Sequence, residues 1–139
     1  MFELDPAFLA TSEALVSLAL CEARLQRDAR FPWIVLVPRM GGAVELEDLS
    51  AAECAMLTAE AVDAGRAVRA IGAALGRPID KLNIGQLGNI TRQLHVHIVG
   101  RRQDDPCWPG PVWGQGPAVA YEAEALELAI SAATRVLAS

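Results

Sequence analysis

Apolar and polar positions change their spacing several times along this chain, and each change marks an element. In LCEARLQRDARFPWIVLVPRM, two apolar-rich runs, Leu20 to Arg27 and Trp33 to Val37, flank Asp28-Ala29-Arg30-Phe31-Pro32. Two strands joined as a hairpin are expected there. Ser50-Ala51-Ala52-Glu53 has the spacing of a capping box, in which the serine and glutamate side chains each satisfy a backbone N–H at a helix start. A long helix is predicted to follow. Leu57, Ala61, Ala64, Val68, Ile71 and Leu75 recur in steps of four and three and share one stripe, while Glu60, Asp63, Arg66 and Arg69 fall elsewhere. Gly76 and Pro78 end it. KLNIGQLG and QLHVHIVG read as two more strands joined by Asn89-Ile90-Thr91-Arg92; a loop, DDPCWPGPVWGQGP, and a last helix from about Glu122 to Leu137 complete the chain. With no repeat or linker, this order predicts one α+β domain over residues 1–139, an antiparallel sheet covered by the long helix.

Composition narrows the function classes. A hydrophobic share of 53% in 139 residues supports a packed core. The formal net charge of −5 excludes a sequence-independent nucleic-acid binder, which needs a basic footprint to neutralise phosphates. The opening MFELDPAFLA lacks a basic, apolar and small-residue signal pattern, and no apolar run approaches the ~18 residues of a membrane span, so a cytoplasmic protein without membrane contact is expected. Cys21, Cys54 and Cys107 have no CxxC spacing and are read as isolated thiols.

The candidate chemistry lies in QLHVHIVG, which holds both histidines of the chain. On a strand, Leu94, Val96 and Ile98 would face the core and Gln93, His95 and His97 the opposite side, with the imidazoles roughly 7 Å apart. Three readings of such a pair stand side by side. It can be a half-exposed strand with solvated histidines; a metal site completed by Asp104, Asp105 or Cys107; or a nucleophile with a hydrogen-bonding partner acting on phosphorus. Metal ligation lacks a well-placed third ligand. Phosphorus chemistry gains support from Gly85 and Gly88, which allow close backbone approach, and from Asn83 and Asn89, neutral amides suited to phosphate or ribose oxygens.

Taken together, Asn83-x-Gly85-x-x-Gly88-Asn89-Ile90-Thr91-Arg92-Gln93-Leu94-His95-Val96-His97-Ile98-Val99 resembles the signature of the histidine triad (HIT) family, His-φ-His-φ-His-φ-φ with φ apolar. The resemblance covers most of the chain, and GRRQDDPCWPG looks like the segment after the triad in the family's nucleotide phosphoramidase branch. It implies a HIT-like α+β fold of about five antiparallel strands with the long helix packed on them and a C-terminal helix. It also implies attack by His95 on the α-phosphorus of a nucleoside phosphoramidate or dinucleoside polyphosphate, through a covalent nucleotidyl-histidine. His97 would contact the phosphate oxygens, Asn83, Gly88, Asn89 and Gln93 would bind substrate or phosphate, and Asp28, Phe31 and Trp33 are candidates for a base and ribose pocket. The implied partners are a nucleotide substrate and a second copy of the chain, with no cofactor and no metal.

Three departures from the family pattern bear on this. Gln93 replaces the leading histidine but keeps the backbone carbonyl that orients the nucleophile in the family. Ile90 falls where a hydroxyl is usual, with Thr91 beside it expected on the other face. Asn89 stands where glutamine is usual. The alternative they raise is a nucleotide-binding HIT protein with weak or no catalysis. The DDPCWPGPVWG loop is expected to wall the site, to cross to a partner subunit's site, or to pack over the sheet edge.

Overall fold

Alternation of buried side chains builds a single five-stranded antiparallel sheet from β1 (Ser12–Ser17), β2 (Cys21–Gln26), β3 (Trp33–Pro38), β4 (Lys81–Gly85) and β5 (Val96–Arg101), in the order β1-β2-β3-β5-β4. The computed structural model describes residues 1–139. Three helices accompany the sheet, α1 (Pro6–Thr11), α2 (Ala51–Ala74) and α3 (Ala123–Leu137). The expected hairpin, long helix, final strand pair and terminal helix are all present, and the α+β class holds. No helix is long and apolar enough to cross a membrane.

Every residue of β3 and β5 is buried. Such strands need cover on both faces and read as continuous apolar runs. One face carries Ile34, Leu36, Val96 and Ile98 into a core with Leu57, Ala61, Ala64, Val68 and Ile71 of α2 and Ala129 and Ala133 of α3. The α2 stripe is the one predicted, and Ser50 and Glu53 close the capping box, the serine Oγ accepting from Glu53 N over 3.1 Å. Such a cap is worth about 1 kcal/mol. The other face carries Trp33, Val35, Val37 and Val99 into a second cluster with Phe8, Phe31 and Val112. The histidine side of β5 is therefore covered by the N-terminal segment and the tryptophan loop.

Several elements differ from expectation. The last two strands are shorter, and residues 86–95 form an irregular connection, so His95 directly precedes β5. Helix α1 and strand β1 were not foreseen. Asp5 caps α1, accepting from Ala7 N over 2.9 Å, and Pro6 occupies its first turn. Arg27 donates to Ala10 O at the far end over 2.9 Å. Glu60, off the apolar stripe, is nonetheless buried, because its carboxylate accepts from the Leu20 and Cys21 backbone N–H groups over 2.8 and 2.9 Å. Those donors lie at the β1–β2 turn, where no strand partner reaches them, and the carboxylate supplies what the sheet does not.

Candidate functional site

His95 and His97 converge on one cavity of about 350 Å³ on the second face of the sheet. Their ring centroids are 4.8 Å apart, closer than the separation expected along an ideal strand, since His95 sits in the irregular connection. Both rings are buried, which sets aside the reading of solvated histidines.

Hydrogen bonds give the two rings opposite tautomers. His95 Nδ1 lies 2.7 Å from Gln93 O, and a carbonyl only accepts, so Nδ1 bears the proton and Nε2 the lone pair. His97 Nδ1 accepts from Trp33 Nε1 over 3.0 Å, and an indole nitrogen only donates, so the His97 proton is on Nε2. An imidazole with its lone pair on Nε2 thus stands beside one with its proton on Nε2. Burial, with His95 nearby, pushes the His97 pKa from 6.5 down to about 4, keeping that ring neutral at ordinary pH.

Aromatic side chains shape the walls. Phe8 meets His95 edge-on at 4.9 Å, and Trp113 lies 5.5 Å from His97 and 6.3 Å from Trp33. Gly85, paired across the ladder with His97, makes room for this: a Cβ there would approach Trp113 Cη2 to 3.1 Å. The tryptophan loop therefore walls the site, the first of the roles expected of it. Trp113 walls the cavity, while Trp108 packs over the Arg101 guanidinium at 5.6 Å.

Of the sequence candidates, His95, His97, Trp33 and Asn89 line the cavity, and Asn83, Gly88, Gln93, Asp28 and Phe31 do not. Asn83 shares the histidine face, but its Oδ1 accepts from Arg101 Nη1 over 2.7 Å, and Arg101 is itself paired with Asp105 at 2.8 Å. Gln93 turns its amide to the N-terminal segment. Asp28 is buried in an ion pair with Arg30 at 2.8 Å and accepts from Val119 N, tying the hairpin loop to the segment before α3. Phe31 is buried beside Trp33, at 6.3 Å between centroids. Gly88 packs against the Thr91 carbonyl.

Phe8, Thr11, Gln26 and Thr91 line the cavity without having been placed there from the sequence. For Gln26 a signal existed, since Ala23 and Leu25 face α2 and the alternation puts Gln26 on the histidine side. Thr91 was expected to face away; it lines the cavity together with Ile90 because that segment is not a strand and alternation does not apply. No group of three His, Cys, Asp or Glu side chains is placed to hold a metal ion. Of the third ligands weighed above, Asp104 and Asp105 are instead paired with Arg102 and Arg101, and Cys107 does not line the cavity.

Comparison with known proteins agrees with this architecture. A histidine triad protein from Sinorhizobium meliloti is 39% identical over 99% of this chain and 98% of its own, with a TM-score of 0.88. One from Bradyrhizobium japonicum is 38% identical over 98% of both chains, at 0.90, and one from Marinobacter aquaeolei is 34% identical over 99% and 97%, at 0.89. No curated protein matches the chain. Residues 9–104 match the HIT domain, and on that match, the shared fold and the paired histidines of β5 and its entry, the chain belongs to the HIT family.

Proposed function

We propose that this protein binds a nucleotide conjugate and transfers its nucleotidyl group through His95, acting on nucleoside phosphoramidates or dinucleoside polyphosphates. The observation that carries the reading is the pair of opposite tautomers: Gln93 O fixes the His95 proton on Nδ1, and Trp33 fixes the His97 proton on Nε2.

In the first step the His95 Nε2 lone pair forms a bond to the α-phosphorus. The bond from phosphorus to the leaving nitrogen or oxygen breaks, and its electron pair departs with the leaving group. The Nε2–H of His97 donates to a phosphoryl oxygen or to the departing atom, stabilising charge as it moves. The leaving group takes up a proton from solvent as it departs; water then attacks phosphorus, the N–P bond breaks with its electron pair returning to Nε2, and the attacking water gives its proton back to solvent. One water is consumed overall, and no step uses a metal or cofactor. Trp33, Phe8 and Trp113 offer apolar faces for the base, and Asn89 and Gln26 offer amides for ribose or phosphate oxygens.

The reading includes a homodimer in the cytoplasm. Strand β4 is a sheet edge, its Ile84 is 55% exposed, and Leu46 and Val62 are exposed around the adjoining apolar groove. Exposed edges and apolar patches of this kind are commonly covered by a partner.

The test is incubation with adenosine phosphoramidate and with diadenosine polyphosphates, in chelator-treated buffer, of wild type, His95→Ala and His97→Ala. Turnover lost in His95→Ala, with an adenylyl mass trapped on His95 in wild type or His97→Ala, is the expected result. Saturable binding of adenosine monophosphate with neither turnover nor adduct would instead establish a binding protein.

A further inference from the structure

We propose that Gln93 is a positioning residue whose side-chain amide latches the N-terminal helix over His95; this rests on reading His95 as the nucleophile. The residue does two separate things. Its backbone carbonyl accepts from His95 Nδ1, as described above. Its side chain reaches some ninety residues back in the chain, where Oε1 accepts from Asp5 N and Nε2 donates to Glu3 O, each over 2.8 Å.

A primary amide presents an acceptor and a donor side by side, which is what a neighbouring strand presents to an extended segment. Residues 3–5 have no strand partner, and Gln93 takes that place. Asp5 is also the residue that caps α1, so fixing it fixes the start of that helix. One turn on, Phe8 is buried with its ring 4.9 Å from that of His95 and inclined at 69°. Gln93 thus sets the His95 proton through its backbone and covers one side of the His95 ring through its side chain. An imidazole at this position, with its two nitrogens pointing apart, could not address both groups, and a carboxylate would have no proton to give Glu3 O. The replacement of the leading histidine is therefore an exchange of one contact for another.

The experiment compares wild type, Gln93→Glu, Phe8→Ala and the double variant. It measures the single-turnover rate of adenylyl-histidine formation from adenosine phosphoramidate and the ¹⁵N imidazole spectrum of His95. Each single variant is expected to slow adduct formation about tenfold at saturating substrate, with KM changed less than about threefold in Gln93→Glu, and the double variant to be no slower than the worse single, because both act through one latch. The His95 spectrum should show a shifted and exchange-broadened Nε2 resonance in both, as the ring loses its cover, while Nδ1 keeps its proton on the Gln93 carbonyl. Additive losses, or an unchanged rate and Nε2 resonance beside a lowered Tm, would overturn the proposal. Should wild type form no adduct, nucleotidyl transfer fails while the latch is judged on the spectrum alone: an altered His95 supports it and an unaltered one overturns it. Phe8→Leu carries the same spectral test if Gln93→Glu does not fold.

Discussion

Trp33 and His97, sixty-four residues apart in sequence, are joined by a 3.0 Å hydrogen bond from indole Nε1 to imidazole Nδ1. That bond decides which His97 nitrogen carries the proton. Trp33→Phe keeps an aromatic ring there and removes the donor, with some loss of packing volume. Its expected effect is a drop of about tenfold in the single-turnover rate, on the scale of one lost buried hydrogen bond, with nucleotide affinity changed less. A rate equal to wild type would show that the tautomer of His97 is set by something else.

The depressed His97 pKa makes stability depend on pH. Between about 6.5 and 4 the unfolded chain takes up a proton on this residue that the folded chain, mainly through burial of the ring, does not. Acid therefore favours unfolding in this window: the stabilisation is complete above about pH 6.5 and is lost as pH falls towards about 4, roughly 3 kcal/mol in all. Urea unfolding across that range should show the loss in wild type and a flatter profile in His97→Gln.

Glu60 holds the β1–β2 turn against α2 through two backbone N–H groups. Glu60→Ala leaves both donors buried and unpaired, and a cost of about 3 kcal/mol is expected in urea unfolding, against about 1–2 kcal/mol for Glu60→Gln, which retains one acceptor. Equal losses would mean that the side chain acts through packing alone.

No lysine or arginine lines the cavity. Nucleotide binding should accordingly depend little on ionic strength, since neutral amides, imidazoles and aromatic faces are weakly screened. The Kd of adenosine monophosphate is expected to change less than about threefold between ~0.05 and ~0.5 M salt; a change of tenfold or more would place a cationic side chain at the phosphate.

Ile84 stands exposed on the β4 edge beside the apolar groove. Ile84→Asp puts a charge on that surface and should shift the protein to monomer in sedimentation velocity while leaving its fold intact. A wild type that sediments as monomer at micromolar concentration would rule out the homodimer.

What the chain reveals before folding depends on how far each interaction reaches. Helix α2 was legible because its stripe repeats locally from Leu57 to Ile71 and its box spans only Ser50 to Glu53. The histidine phasing was legible for the same reason, and so was the Gln93 carbonyl, two residues from its partner. Helix α1 and β1, six residues each, carry too short a pattern, and α1 is held by Arg27 and Gln93 from elsewhere in the chain. Glu60 reads as a solvated helix residue until the turn forty positions earlier is folded against it. Strand alternation also misled at Thr91, where the backbone had left the strand.

Strand β5 has no residue free to vary: one side feeds the helix-covered core, the other carries His97 and Val99, and all six positions are buried. Variation in the cavity's lining is then left to its rim, where irregular backbone tolerates exchange. Residues such as Ile90, 99% exposed, can be swapped without disturbing either core. The sheet thereby fixes one wall of the cavity while the rim opposite it stays open to exchange, and a designer can alter the rim without unpacking the sheet.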